Sequence, residues 1–313
     1  MTELKATRDA YGEALVEIGE NNDNIVVLDA DLSASTKTAK FRKCFPDRFL
    51  NIGIAEQNLI NVAAGLSTCG KIVFASSFAL FATGRPWEQI RNTVAYSNLN
   101  VKIVASHGGI SVGADGSSHQ SLEDIAIMRA IPNMKVIVPC DANESHNAVL
   151  AAAAAPGPFY IRLGREKVPM ITDPKHKFRV GKAEALRDGD DVTIIACGMM
   201  VDAALKAADI LEKDGLKASV IDMHTIKPVD TETIMKYARK TGCIVTAEEH
   251  SIIGGLGGAV CEFLSENHPV PVYRIGTRDC FGQSGEPALL LKEYNMTPEN
   301  ICKGAKKVIK MKK

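Results

Sequence analysis

Five short segments constrain the fold more than anything else in the chain: NIVVLDAD (24–31), KIVFASS (71–77), NVKIVASH (100–107), MKVIVPCD (134–141) and PFYIRLGR (158–165). Each is rich in Val and Ile and apolar at consecutive positions, so both faces of the strand it forms have to be covered. Strands of that kind belong to a parallel sheet with helices on each side. Helical stretches at 7–20, 59–68 and 144–154 lie between them, and the alternation predicts a doubly wound α/β domain over residues 1–172.

The pattern then breaks. The run GREKVPMITDPKHKFRVGKAEALRDGDD is charged, carries two prolines and has weak periodicity, which predicts a connection over residues 173–187. Beyond it the alternation restarts with DVTIIACG, KASVIDMHT, CIVTAEEH and VPVYRIG. A second, smaller α/β domain is expected over residues 188–313, with the helix of MMVDAALKAADILEKDG stopping at Gly215. A length of 313 residues gives each domain room for its own core. Formal net charge is zero, which gives no reason to expect nucleic acid or a membrane as partner. The eight cysteines are scattered without a CxxC, and no apolar run reaches the ~18 residues of a membrane span. A cytoplasmic protein is expected.

In open α/β sheets, ligands bind beyond the carboxyl ends of the strands. The unusual polar residues of the first domain fall there. The first strand leads to Asp29, Asp31, Leu32 and Ser35, the next to Phe78 and Phe81, the third to His107 and then a glycine-rich loop with Asp115 and His119, and PFYIRLGR to Arg162 and Arg165. Glu56 heads a segment, 59–66, that reads as apolar on nearly every side. Taken singly, most have plainer explanations. Asp31 or Ser35 could cap a helix, Glu56 could complement a helix dipole, His107 and the two Phe could be core, and Arg165 could pair with Glu166 or a neighbour. Their coincidence at one edge points to a small-molecule site. The glycines of GADG lack the GKS or GKT of a phosphate loop, GGLGGAV (254–260) lacks dinucleotide spacing, and EEH (248–250) is no zinc motif. No metal held by this chain alone is expected.

Read together, GIAEQN, SSFALFATGRPWEQIRN, GADGSSHQSLEDIAIMRAIPNMKVIVPCDANE and EEHSIIGGLGGAV resemble, in the same order, the C-terminal half of transketolase. The likeness covers essentially the whole chain. It implies a thiamine-diphosphate pyrimidine-binding domain followed by a transketolase C-terminal domain, without the half whose GDG…N signature holds Mg²⁺ and the diphosphate. The expected partners are therefore an N-terminal transketolase subunit, which holds the Mg²⁺ and shares the cofactor, and a second copy of this chain, in an α2β2 arrangement by analogy. The substrates are expected to be sugar phosphates.

The resemblance also implies roles. Glu56 matches the glutamate that hydrogen-bonds the pyrimidine nitrogen and favours the imino tautomer, which removes the thiazolium C2 proton. Such a residue shares or holds a proton, and apolar burial favours that. Phe81 resembles the aromatic that stacks on the pyrimidine, with Phe78 in the same pocket and Asp31 and Leu32 beside the cofactor. Arg8, Ser35 and Arg165 match residues that hold a sugar phosphate. His107 and His119 match histidines that contact donor and acceptor hydroxyls, and Asp115 matches the aspartate that reads the acceptor's C2 hydroxyl. The stretch ATGRPWEQ has no tyrosine where transketolase often has one. Rival readings are the matching half of a 1-deoxyxylulose-5-phosphate synthase, a 2-oxo-acid dehydrogenase β subunit and, from another class, a non-catalytic scaffold.

Overall fold

The strand order of the first sheet is what brings the candidate residues to one edge. In the computed structural model, which describes residues 3–175 and 177–312, the strands up to the connection are β1 Leu4–Ala6, β2 Ile25–Asp29, β3 Phe49–Asn51, β4 Ile72–Phe78, β5 Val101–Ser106, β6 Lys135–Ile137, β7 Phe159–Arg162 and β8 Lys167–Pro169. They are followed by β9 Glu184–Arg187, β10 Val192–Ala196, β11 Ala218–Asp222, β12 Thr225–Lys227, β13 Ile244–Ser251 and β14 Val272–Thr277. All nine segments expected as strands are strands. The main sheet runs β12-β6-β7-β5-β4-β2-β3, parallel except for β12, and the second runs β14-β13-β10-β11-β9, parallel except for β9. Full burial of β2, β5, β7, β10 and β11 matches their unbroken apolar character.

Three features differ from the pattern read in the sequence. The segment Glu184–Arg187, inside the expected connection, is an edge strand paired antiparallel with β11, and His176 of that stretch lies outside the described residues. β12 follows β11 in sequence yet pairs with β6, so the second half of the chain completes the first sheet. The helix headed by Glu56 spans Glu56–Thr68, and it is one-sided: Glu56, Leu59, Ile60, Ala63 and Ala64 are buried, whereas Gln57, Asn61, Gly65 and Thr68 are exposed. Those four recur at the i, i+4 and i, i+3 spacings of a single helix face.

One apolar cluster crosses the seam between the halves, joining Leu28, Ile60 and Ile103 to Ile195, Ile221 and Leu256. Polar groups tie the same seam. Arg162 donates to Asp124 Oδ2 at 2.7 Å and to the carbonyls of Ser121 and Glu249 at 3.0 and 2.9 Å. Burial works against both charges, but the Arg162–Asp124 attraction overrides it, lowering the Asp124 carboxyl below its usual range. Gly108 and Gly109 lie between Arg162 and Glu249, where an added Cβ would come within 2.7 and 2.3 Å of those side chains. Gly109 also has φ +92°, so glycine is required there twice over.

Candidate active site

Strand ends and the loops after them deliver the site. β3 is followed by the helix that begins at Glu56, whose carboxylate is 3% exposed. Its Oε1 accepts from Ser77 Oγ at 3.3 Å, and its Oε2 accepts from Arg85 Nη1 at 2.8 Å. The apolar surroundings expected for Glu56 are therefore incomplete, because a cation reaches it. β4 ends at Phe78, whose ring stacks on His107 with centres 3.8 Å apart and on Phe81 at 6.1 Å. His119 presents an edge contact to Phe81 at 5.3 Å, and the Arg85 guanidinium carbon lies 4.2 Å from the Phe81 ring centre. Phe78, Phe81, His107 and His119 thus form one connected group of rings, to which Arg85 joins Glu56.

His107 follows β5 with φ +62°, its ring buried and its Nδ1 2.8 Å from Ser106 Oγ. Burial, reinforced by the positive charges of Arg8, Arg165 and Lys37 and by His119, pushes its pKa down to about 3. The imidazole is neutral at physiological pH and offers hydrogen bonds without charge.

A cluster of cations adjoins this group. Arg8, at the start of the helix Thr7–Asn21, donates Nη1 to the Ser35 carbonyl at 3.0 Å, so Ser35 engages it through backbone. Arg8 Nε is buried without a partner. Burial first, then Arg165, lowers the Arg8 pKa from its usual value. Arg165 contacts the Val112 carbonyl and lies 3.5 Å from Asp115, so the neighbour it pairs with is Asp115. Lys37, at φ +72° and 3.3 Å from Asp9, adds a third cation. Like charges gathered around a buried unsatisfied donor form a site suited to an anion.

Asp31 and Leu32 sit at the end of β2. Asp31, exposed and at φ +63°, exchanges hydrogen bonds with Asn51, and the Leu32 amide donates to Asp29 Oδ1 at 2.5 Å. Buried Asp29 also accepts from Thr36 and Thr38, which fixes the turn that carries both residues. The sequence reading missed Arg85, Lys37 and the organising role of Asp29. For Arg85 a signal existed, since it stands in the ATGRPWEQ stretch that departs from the family pattern.

Other polar groups resolve differently. Glu248 accepts from the amides of Leu256 and Gly257 at 2.7 and 2.8 Å, so the glycine-rich helix start is filled by an internal carboxylate. Cys140, Glu144 and Asp222 hold their potential metal-ligating atoms within 4.8 Å of one another, fully buried at the seam between the halves. Burial pushes both carboxyls up, Asp222 to about 7, which favours the protonated form. No helix among the described residues is long and apolar enough to cross a membrane.

Comparison with known proteins decides the family. The family model for the transketolase pyrimidine-binding domain matches residues 3–170, and that for the transketolase C-terminal domain matches residues 181–301. The chain belongs to the transketolase family. It is 53% identical over 302 residues to a Methanocaldococcus jannaschii protein named as a transketolase C-terminal section, covering 96% of this chain and 95% of that one. It is 45% identical over 305 residues, 97% and 95% of the two chains, to a 6-deoxy-6-sulfo-D-fructose transketolase subunit of Clostridium. Among solved structures it is similar to a split-gene transketolase described as an inactive beta4 tetramer, at 54% identity and TM-score 0.93 over 98% of this chain and 99% of that one. The transketolase pyrimidine-binding match contains Glu56, the aromatic group and the cationic cluster together.

Proposed function

We propose that the chain is the C-terminal subunit of a two-chain, thiamine-diphosphate-dependent transketolase that moves a two-carbon ketol unit from a ketose phosphate to an aldose phosphate. The observation that carries this reading is one sheet edge where a buried carboxylate beside an aromatic wall adjoins a cluster of cations with a partnerless Arg8 nitrogen. Glu56 and Phe81 fit an aminopyrimidine, one as in-plane hydrogen-bond partner and the other as stacking face. The Mg²⁺ and the diphosphate belong to an N-terminal subunit, and a second copy of this chain completes the assembly.

Thiamine diphosphate, when bound, supplies the electron sink for carbon–carbon bond exchange. The chain's own residues do the rest. Glu56 shares a proton with the pyrimidine nitrogen. Neutral His107, together with His119, hydrogen-bonds the substrate hydroxyls, and Asp115 reads the acceptor. Arg8, Ser35 and Arg165 hold the terminal anion, with the planar guanidinium groups suited to a tetrahedral oxyanion. The relative named for 6-deoxy-6-sulfo-D-fructose is consistent with that cationic cluster, because a sulfonate presents the same three-oxygen face as a phosphate. A cytoplasmic setting suits such substrates.

The test is reconstitution. The purified chain is mixed with a candidate N-terminal subunit, thiamine diphosphate, Mg²⁺, xylulose 5-phosphate and ribose 5-phosphate. Glyceraldehyde 3-phosphate that forms when both chains are present, and not with either alone, supports the reading. Pyruvate consumption in its place would move the assignment to a deoxyxylulose-phosphate synthase half, and a stable complex inert with both would favour the scaffold.

A further inference from the structure

We propose that Arg85 is an internal occupant of the pyrimidine position, its guanidinium filling the space between Glu56 and the Phe81 ring and withdrawing when a planar heteroaromatic ligand enters. The proposal rests on the functional reading above and adds a residue to its cofactor site. Arg85 Nη1 lies 2.8 Å from Glu56 Oε2, while its guanidinium carbon lies 4.2 Å from the Phe81 ring centre. One in-plane hydrogen bond and one stacking face are the two contacts an aminopyrimidine needs here. A guanidinium is planar, cationic and prone to stack on aromatic rings, so it reproduces both.

The two ligands cannot share the place. Atoms in contact need about 3.5–4 Å of separation, so a ring on the Glu56 side of Phe81 meets the guanidinium directly. His119 and Phe78 already contact Phe81 elsewhere. Arg85 has somewhere to go. It is 48% exposed and borders a hollow of about 540 Å³ lined also by Ile54, Ala55, Gln57 and Asn58, so it can swing outward without stranding its charge away from water. While it is in place it neutralises the buried Glu56 carboxylate, which otherwise has Ser77 as its side-chain partner. Cofactor affinity then carries a competition factor set by how often Arg85 is out.

Two measurements test this. On the chain alone, the unfolding equilibria of wild type, Arg85→Met, Glu56→Gln and the double variant form a cycle. A coupling of about fivefold in the unfolding constant is expected. Strictly multiplicative effects would remove the ion pair, and the proposal with it, whatever the chain's function. In the assembled two-chain complex with Mg²⁺, calorimetric titration with thiamine diphosphate should show Arg85→Met binding about fivefold tighter than wild type. Arg85→Lys, which keeps the charge without the planar fork, should fall between them. Equal or weaker binding by Arg85→Met overturns the proposal while leaving the functional reading in place. No binding by wild type overturns both.

Discussion

At the carboxyl ends of the first sheet, Glu56 opens onto a hollow, Arg8 keeps an unsatisfied nitrogen and His119 is half-buried. At the same ends of the second sheet, Glu248 is closed over by two amides, Glu249 accepts from the Ser111 amide at 2.5 Å and His250 is wholly buried. Both sheets send acids and a histidine to the edge where α/β folds bind ligands. They differ in what faces that edge. The first edge opens outward at Glu56, while its glycine-rich loop and Arg162 are the part against which the second edge is pressed. The same architecture thus offers one edge for chemistry and uses the other as adhesive, and the residue types alone do not say which is which.

The contrast breaks most visibly at the seam. Arg162→Met leaves Asp124 buried without its cation, and chemical denaturation should show a loss of about 3–5 kcal/mol. A loss under about 1 kcal/mol would mean that the seam is not held as described. Next in size is a pH effect from the carboxyls beside Cys140. Glu144 and Asp222 both have raised folded-state pKa values, Asp222 about 7, with Asp141 and Glu184 adding further negative charge nearby. The Asp222 stabilisation is fully present below its unfolded value near 4 and is lost as pH rises through about 7, and the raised Glu144 carboxyl acts in the same direction. Unfolding free energy should fall by about 3 kcal/mol between pH 5 and pH 8. Asp222→Asn should flatten that slope, and an unchanged slope would assign it elsewhere.

How much of this the sequence exposes depends on the range of the interaction. The strands are legible because burial on both faces leaves unbroken Val and Ile runs, as in IVVLD of β2. The edge position of Glu56, Phe78, Phe81 and His107 follows from strand direction. What stays hidden is set by distant partners. β12 has three residues, too few for a pattern, and its pairing with β6 is a long-range choice. The Arg85–Glu56 pair spans 29 positions, so the departure from the family pattern around Arg85 marks the residue without naming its partner. The exposed side of the Glu56 helix is hard to read because Gly65 and Thr68 are weak markers of either environment.

At the open edge, stability effects should be small and binding effects large. Arg8→Met removes a cation that burial and Arg165 already disfavour, so unfolding should change by about 0.5 kcal/mol or less. The KM for a sugar phosphate in the assembled enzyme should rise about tenfold or more. A large stability loss with unchanged KM would place Arg8 with the adhesive residues.

The most direct test of the division is the turnover of the assembled two-chain enzyme carrying Glu56→Ala, measured at saturating thiamine diphosphate alongside the variant's unfolding curve. The account predicts a turnover loss of about 10²-fold or more with the complex still folded and assembled. Full activity in that variant would contradict the assignment of the first sheet's edge to catalysis.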